Sequence, residues 1–347
     1  MKRVFVNGYG SIGRRLASFL SEDDEIDLTG VAKYSPGAGV SEARSKGLNV
    51  YVPHEKKSEF AEYETAGSIE DAVRSCDLVI DASPGGRGYD NKKSLYEPLG
   101  RMAIYQGGET IYGERAVSDV LFNSRANYDS AIGKSHILQG SCNVTGMGRI
   151  LKPLYEKFGS RMGRIDVTLV RRWADIEQKD KEITDTIEMT PHPHHGEDVR
   201  SYMGDIPLFL RAIKVPTRQM HLHIMDVRFT GGAPQADEVL DALSGEQGVA
   251  ILWTARGTRE VRQCADSMGF GFADTNMVHV HANMASAAGD TIQLMYSDDQ
   301  TGIVIPENHM LLQAMLFGRP YAEAAARTES LFRMGEKKKI LEDTFAR

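Results

Sequence analysis

Apolar residues follow two different patterns, and the change falls near the middle of the chain. In the first part, short buried strands (residues 3–7, 26–32, 77–82 and 102–105) alternate with segments of helical period, such as 14–21. Strands that alternate with helices at this spacing predict a parallel, doubly wound sheet.

After residue 163 the apolar positions alternate over longer, β-branched segments at 164–170, 220–230, 279–284 and 292–296. Such alternation is typical of antiparallel strands with one buried face. Further helices are predicted at 235–243, 256–268, 306–316 and 321–331. The mixed-charge stretch 336–347 is typical of a solvated face.

A glycine run, GYGSIG at residues 8–13, follows the first strand directly and opens the first helix. Gly8 permits a tight turn, Gly10 lets the backbone approach a pyrophosphate, and Gly13 lets helix and strand pack closely. The phosphates would bind the free N–H groups at the helix start. This context predicts a dinucleotide-binding site.

Lys33 follows the second strand, where an NAD site usually has Asp or Glu to accept a hydrogen bond from the ribose. A lysine cannot accept that bond, and it favours the 2′-phosphate of NADP. We therefore expect NADP, or use of both NADP and NAD. The alternative is a solvated lysine at a strand end.

These patterns predict an α/β protein with two domains. A Rossmann-type dinucleotide-binding domain with a parallel sheet should span residues 1–140. An α+β catalytic domain with a mainly antiparallel sheet should span 141–303, and C-terminal helices at 304–347 should return to the dinucleotide-binding domain.

Cys142 lies between small and polar residues, in the run GSCNVTG at 140–146, just before a helix predicted from Asn143 to residue 158. Free N–H groups and the helix dipole at such a position lower the pKa of a thiol. This favours a nucleophile that attacks an aldehyde. The alternative is a small buried thiol in a turn.

His221 and His223 lie two residues apart on a predicted strand, so both rings point to one face. Either could act as the base of Cys142 and take the proton of a thiohemiacetal hydroxyl as hydride leaves. Two partly exposed strand histidines are the alternative.

Anion ligands are predicted at two further places. Arg171 and Arg172, at a strand end, suit phosphate because guanidinium groups donate bidentate hydrogen bonds, although they could also be surface arginines. The segment 191–198, which contains His194 and His195, is predicted to be a loop that holds an anionic substrate. It contains enough histidines to suggest a metal site, but no further ligand is spaced to close one, so no metal is expected.

The composition excludes several classes of function. The chain has 347 residues, 41% hydrophobic and 26% charged, with a net charge of −7, which argues against nucleic acid or an anionic membrane as the main partner. Three cysteines without a CxxC pair indicate a reducing compartment. With neither a signal peptide nor a membrane span recognised, we expect a cytoplasmic protein.

Several motifs resemble the archaeal-type (type II) phosphorylating glyceraldehyde-3-phosphate dehydrogenases over essentially the whole chain. They lie at residues 6–13, 33–36, 81–86, 106–109, 141–146, 171–172, 194–199, 215–223 and 304–308. The resemblance implies a homotetramer of sugar metabolism that uses NADP and often NAD, with a phosphorylated aldehyde and inorganic phosphate as substrates.

The resemblance also assigns residues. It makes Cys142 the nucleophile and favours His221 over His223 as the catalytic histidine. The expected substrate ligands are Ser141, Asn143, His194 and His195. The expected cofactor ligands are Ser11, Ile12, Gly108, Arg172 and Gln300.

Other functions remain open because Trp173 and the charged segment 175–189 differ from the usual family pattern near the expected phosphate pocket. One is a semialdehyde dehydrogenase of amino-acid synthesis. Another is a divergent paralogue that acts on a different phosphorylated aldehyde. A third, of another class, is a catalytically inactive NAD(P)-binding regulatory protein.

Overall fold

The computed structural model describes residues 1–347, which form two compact units. The first unit comprises Met1–Ser141 and Glu307–Leu331, and the second comprises Cys142–Pro306 and Phe332–Arg347. The final helices are therefore divided between the units. This differs from the expectation that residues 304–347 all return to the dinucleotide-binding domain.

The first unit contains an eight-stranded sheet in the order β4-β3-β2-β1-β5-β6-β8-β7, and every neighbouring pair is parallel. Its strands are β1 (Lys2–Asn7), β2 (Ile26–Ala32), β3 (Val50–Val52), β4 (Gly67–Ser68), β5 (Leu78–Asp81), β6 (Met102–Tyr105), β7 (Leu121–Phe122) and β8 (His136–Gln139). The predicted parallel, Rossmann-like sheet is confirmed.

The second unit contains a mixed sheet in the order β10-β11-β9-β12-β16-β14-β13, and β15 pairs with β16 outside this path. Its strands are β9 (Met162–Arg172), β10 (Glu188–Thr190), β11 (Leu208–Val215), β12 (His221–Phe229), β13 (Val249–Leu252), β14 (Val278–His281), β15 (Ser286–Ala288) and β16 (Thr291–Asp298). Two pairs, β9 with β11 and β13 with β14, are parallel, and the other pairs are antiparallel. The prediction of a mainly antiparallel sheet is confirmed.

The helices of the chain are α1 (Ser11–Glu22), α2 (Ala38–Ser45), α3 (Ile69–Ser75), α4 (Gly88–Asn91), α5 (Ser124–Asn127), α6 (Cys142–Phe158), α7 (His195–Met203), α8 (Ala236–Ser244), α9 (Thr258–Ser267), α10 (Val304–Phe317), α11 (Tyr321–Phe332) and α12 (Met334–Thr344). No helix combines the length and the apolar character needed to cross a membrane.

Two segments differ from their predicted roles. The expected anion-binding loop at 191–198 ends in α7, so His195 is helical and buried rather than in a loop. The expected solvated C-terminal stretch forms α12, in which Leu341 is completely buried among core residues that include Ala250, Val261 and Met277. The segment was predicted to be solvated because most of its residues are charged, and composition alone does not reveal the buried apolar contact.

Candidate active site

The glycine run between β1 and α1 is shaped by backbone contacts inside the first unit. Gly8 has φ +139°, and a Cβ there would lie 2.4 Å from the carbonyl oxygen of Ala82. A Cβ at Gly13 would lie 2.2 Å from the Gly8 carbonyl oxygen. A Cβ at Gly10, in contrast, would meet no atom within 4 Å. Gly8 and Gly13 are therefore needed for the turn itself, whereas Gly10 leaves open space beside the backbone.

The start of α1 fits an anionic group. Its N-cap residue is Gly10, which has no side chain to bond the N–H groups of the first turn, where Ser11, Ile12 and Gly13 lie. No acidic residue occupies that turn. Uncapped N–H groups at the positive end of a helix bind phosphate, so these residues fit the pyrophosphate of a dinucleotide.

Further loops at the carboxyl edge of the first sheet approach one another closely. A Cβ at Gly108, after β6, would lie 3.3 Å from the Cα of Gly85, after β5, and a Cβ at Gly85 would lie 3.3 Å from the carbonyl oxygen of Gly108. A Cβ at Gly107 would lie 2.6 Å from the Cα of Ser141, after β8. Ligands bind outside this edge in open α/β sheets.

Lys33 follows β2 and is partly buried. Its Nζ lies 2.8 Å from the Cβ position of Gly39, and a guanidinium nitrogen of Arg14 lies 3.8 Å from the same position. Burial and then the Arg14 charge lower the pKa of Lys33. Arg14 is paired with Glu42 at 2.8 Å. The cationic side chains of Lys33 and Arg14 thus lie next to the same glycine, Gly39. Two neighbouring cations suit the binding of a phosphate group such as the 2′-phosphate of NADP.

Cys142 is the first residue of α6 in the second unit, as predicted. The expected low thiol pKa is wrong in this structure: burial and the Asp298 carboxylate raise the pKa of Cys142 to about 12. Arg172 and the backbone N–H of Asn143 lower it, but their effect is smaller. The backbone N–H at the helix start lowers the pKa of Cys142, but burial beside a negative group outweighs this effect.

Asn143 connects Cys142 to a histidine. Its side-chain Nδ2 donates to the sulfur of Cys142 at 3.8 Å, and its Oδ1 lies 2.9 Å from Nε2 of His223. Because an amide oxygen only accepts, the hydrogen on His223 must be on Nε2. Burial lowers the pKa of His223 to about 3, so its ring is neutral. His223 therefore orients Asn143, and its Nε2 hydrogen is used in doing so.

His221 is buried on the same face of β12 as His223. Its Nδ1 accepts a hydrogen bond of 3.1 Å from the backbone N–H of Arg172. Burial, followed by the Arg172 charge, lowers the pKa of His221 well below its usual range. A neutral ring whose Nδ1 accepts carries its hydrogen on Nε2. In this arrangement Nε2 of His221 is a hydrogen-bond donor, and its expected role as a proton acceptor stays a prediction.

Asp298, at the end of β16, is the group that sequence reasoning missed. The antiparallel register pairs it with His221. The sulfur of Cys142, a ring nitrogen of His221 and a carboxylate oxygen of Asp298 all lie within 4.8 Å of one another. The sequence does show two acidic residues shortly after the predicted strand 292–296. Only the pairing register of that strand, however, reveals that one of them lies beside Cys142.

The two arginines at the end of β9 have different surroundings. The guanidinium of Arg172 pairs with the carboxylate of Asp175 and is close enough to influence the pKa of Cys142. Arg171 is partly buried, and its charge influences His195 and His221. Both arginines therefore lie near the histidines of this unit.

The histidine pair at the start of α7 has one exposed and one buried member. The side chain of His194 is 71% exposed, and its ring stacks on His195 with centroids 4.4 Å apart. Burial, His194 and Arg171 lower the pKa of His195 to about 3. Tyr202 in α7 donates to the backbone oxygen of Val144 in α6 at 2.8 Å. This contact holds α7 on the helix that carries Cys142.

The remaining expected ligands are divided between the units. Gly108 and Ser141 belong to the first unit, with the glycine run and Lys33. Gln300 belongs to the second unit, where its Nε2 donates to the backbone oxygen of Arg218 at 3.4 Å and its buried Oε1 has no partner. The hydroxyl of Ser141 is also buried without a hydrogen-bond partner.

A possible cation-binding group lies elsewhere, where Asp23, Asp24 and Glu25 are adjacent in the first unit. Arg327 contacts all three of these carboxylates at 2.9–3.8 Å, and Arg319 also pairs with Glu25 at 2.6 Å. These ion pairs already compensate the negative charge.

Proteins of known identity are similar to the chain over nearly its full length. It is 34% identical over 337 residues to the glyceraldehyde-3-phosphate dehydrogenase of Halobacterium salinarum, covering 94% of this chain and 98% of that protein. The enzymes of that name from Pyrobaculum calidifontis and Archaeoglobus fulgidus are 34% and 33% identical, with 96% of this chain covered in each case and 98% and 96% of theirs. No family model matches the chain. At this identity and coverage, the chain belongs to the glyceraldehyde-3-phosphate dehydrogenase family.

Proposed function

We propose that the chain is a type II phosphorylating glyceraldehyde-3-phosphate dehydrogenase, which oxidises the aldehyde with NADP or NAD and inorganic phosphate. Membership of the family supports an oxidoreductase of this substrate class. The observation that carries the proposal is the position of Cys142 at the start of α6, beside an amide donor and a neutral histidine.

In this proposal the sulfur of Cys142 adds to the aldehyde carbon and gives a thiohemiacetal. The Nδ2 of Asn143 and the Nε2 hydrogen of His221 are donors that can stabilise the negative oxygen formed there. Oxidation leaves a thioester, which inorganic phosphate opens to an acyl phosphate. A thiolate is a better leaving group for this step than the alkoxide that a serine would supply.

The bound dinucleotide would supply the nicotinamide ring that accepts the hydride. We assign Gly8, Gly10, Ser11, Ile12 and Gly13 to its pyrophosphate, since the uncapped start of α1 suits an anion.

Lys33 would bind the 2′-phosphate of NADP, with Arg14 as a second cation. Gly108, Arg172 and Gln300 are assigned to the cofactor by resemblance to the type II enzymes.

The phosphorylated aldehyde would be held mainly by side chains of the second unit. We assign this role to Arg171, His194 and His195, together with Asn143, and to Ser141 at the end of the first unit. A guanidinium suits a phosphate through bidentate hydrogen bonds. His195 is neutral because burial lowers its pKa, so it would act as a hydrogen-bond partner and not as a charge.

The main test compares the purified protein with its Cys142→Ser variant. We expect NADP- or NAD-dependent oxidation of glyceraldehyde 3-phosphate that requires inorganic phosphate, and a loss of at least about 10³-fold in the variant. Cys264→Ser, which changes a buried cysteine in α9, is the matched control. Unchanged turnover in Cys142→Ser would exclude the mechanism.

The same assay separates the rival functions. Faster turnover of an amino-acid semialdehyde would favour a semialdehyde dehydrogenase, and phosphate-independent turnover would indicate a hydrolysing enzyme. Cofactor binding without turnover of any aldehyde would favour a regulatory protein. The resemblance also leads us to propose a homotetramer, which light scattering would test against the subunit mass of 38.4 kDa.

Cofactor preference is tested with Lys33→Asp. A carboxylate accepts a hydrogen bond from the ribose 2′-hydroxyl and repels a 2′-phosphate, so the ratio of kcat/KM for NADP over NAD should fall at least about tenfold. Lys57→Asp, at an exposed lysine of the same unit, should leave the ratio unchanged. An unaltered ratio in Lys33→Asp would mean that Lys33 is only a solvated lysine.

A further inference from the structure

We propose that Asp298 accepts the proton of the Cys142 thiol when the sulfur adds to the aldehyde. This inference rests on the proposed function. It assigns an acceptor for the thiol proton, for which the buried rings of His221 and His223 are weak bases.

The position of Asp298 provides the first support. Its side chain is completely buried, and neither carboxylate oxygen has a hydrogen-bond partner. Buried carboxylates without partners are rare because desolvation is costly, so this arrangement requires a reason. One of these oxygens lies within 4.8 Å of both the sulfur of Cys142 and a ring nitrogen of His221. Asp298 is therefore close to the atom that must lose a proton.

The neighbouring histidines are poor acceptors for that proton, because burial lowers the pKa of both rings. Nδ1 of His221 already accepts from the backbone N–H of Arg172, and its other nitrogen carries the hydrogen. Nε2 of His223 lies 3.4 Å from Asp298, but its hydrogen is directed to Asn143. Nδ1 of His223 is buried without a hydrogen-bond partner, but the pKa of this ring is only about 3. The oxygens of Asp298, also without partners, are the stronger bases near Cys142.

The charges around Asp298 favour reversible protonation near neutral pH. Burial, followed by the adjacent Asp299 carboxylate, raises the pKa of Asp298 to about 7, while Arg172 and Arg149 lower it. The other titratable groups near Asp298 are Cys142, His221, His223 and Tyr296. A general base works best when its pKa lies near the pH of the reaction.

The proposed step balances in atoms and charge. The S–H bond of Cys142 breaks and its proton forms an O–H bond on the Asp298 carboxylate. The electron pair of the sulfur forms the S–C bond, and the π pair of the carbonyl moves to its oxygen. One negative charge passes from the carboxylate to this oxygen, where the Nδ2 of Asn143 can donate a hydrogen bond.

The first measurement is the pH dependence of Cys142 alkylation by iodoacetamide in the full-length protein, followed at the Cys142 peptide by mass spectrometry. Below about pH 7 the rate should rise about tenfold per pH unit, because each thiolate formed releases a proton to solvent. Above that pH the proton passes to ionised Asp298, no net proton is released, and the rate should level off. A wild-type profile without this bend would overturn the proposal.

The second measurement compares Asp298→Asn with the wild type. The variant should lose the bend and should be alkylated at least as fast at pH 8, because a negative charge next to the thiol is removed. Its kcat/KM for glyceraldehyde 3-phosphate should nevertheless fall about 10²–10⁴-fold. Turnover at or above the wild-type rate would overturn the proposal, since Asp298 would then only oppose thiolate formation by its charge.

Asp166→Asn is the matched control, because Asp166 lies on β9 of the same sheet and pairs with Arg164 at 2.6 Å, away from Cys142. It should keep both the bend and the turnover. If Asp298→Asn does not fold, the wild-type alkylation profile alone decides. That profile needs no aldehyde or cofactor, so absence of glyceraldehyde-3-phosphate oxidation would exclude the proposed function without deciding the role of Asp298.

Discussion

At the residue scale, two glycines of the same loop should respond differently to one added methyl group. Gly13→Ala places a Cβ 2.2 Å from a backbone carbonyl oxygen, so the turn must shift, and we expect a loss of about 1–3 kcal/mol in unfolding free energy. Gly10→Ala meets no atom within 4 Å, and its unfolding free energy should change by less than about 0.5 kcal/mol. Urea denaturation of both variants measures these differences.

The two glycine variants also distinguish an effect on stability from an effect on cofactor binding. Because Gly10 leaves space where a pyrophosphate would approach, Gly10→Ala should weaken dinucleotide affinity at least about tenfold, equivalent to about 1.4 kcal/mol. A fluorescence titration with NADP and NAD checks this. Unchanged affinity in a folded Gly10→Ala protein would show that the dinucleotide does not bind against this glycine.

The hydrogen bond from His223 to Asn143 should be important for both stability and turnover. His223→Phe leaves the Oδ1 of Asn143 buried without a donor, which should cost about 1–3 kcal/mol. His223→Gln keeps an N–H donor and should cost less. Urea unfolding and aldehyde turnover should rank the proteins in the order wild type, Gln and Phe. Equal stability of the two variants would contradict a structural role for this hydrogen bond.

Single residues also mark how far the sequence could predict the site. The position of Cys142 at a helix start followed from the local pattern alone, because helix starts depend on nearby residues. Asp298 could not be identified in this way, since its proximity to Cys142 depends on the pairing register of β12 with β16. The pKa of Cys142 was predicted in the wrong direction for the same reason, because burial and the Asp298 charge come from distant parts of the chain.

At the element scale, α12 should contribute to the stability of the second unit although it is rich in charged residues. Leu341 is completely buried, so Leu341→Ala should lose about 2–5 kcal/mol in unfolding free energy. Lys339→Ala, at an exposed position of the same helix, should change it by less than about 0.5 kcal/mol. Denaturant titrations followed by circular dichroism measure both, and similar values would show that α12 does not pack as described.

The strands show where hydrophobic pattern was sufficient. It predicted β2 as observed and located β9, β12 and β16 within a few residues, because their burial alternates or is continuous over many positions. It missed β11, where Phe209 is apolar although exposed, so apolar and polar residues do not alternate at the start of the strand. That strand pairs in parallel with β9 over eight residues, a contact that no local pattern indicates.

At the scale of the whole molecule, acid should destabilise the fold through its buried neutral histidines. The pKa values of His195, His223 and His279 are lowered to about 3, and that of His221 lies well below its usual range. In the unfolded chain each ring titrates near pH 6.5. Below that pH the unfolded state binds more protons than the folded state, so stability falls as the pH decreases.

From pH 6.5 to 5.5 the four rings together should lower the free energy of unfolding by about 4 kcal/mol. Asp298 has a raised pKa and therefore the opposite effect, and it should increase the free energy of unfolding by about 1 kcal/mol. Urea unfolding at the two pH values should therefore differ by about 3 kcal/mol. His223→Phe removes one titrating ring and should reduce the difference by about 1 kcal/mol. Equal stability at both pH values would mean that these rings titrate in the folded state as they do in the unfolded chain.

The first unit is assembled from two distant parts of the chain, and this affects its biosynthesis. Glu307 accepts hydrogen bonds from the backbone N–H and the hydroxyl of Ser124 at 2.7 and 2.8 Å, and His309 contacts the buried Asp23 at 3.2 Å. A ribosome that has released residues 1–141 has therefore not supplied the helices that complete this unit. Until the residues from 307 onwards emerge, apolar side chains that they contact, such as Phe19 of α1, remain open to solvent and to chaperones. A premature stop before residue 307 should thus yield an aggregation-prone product and not an independent nucleotide-binding domain.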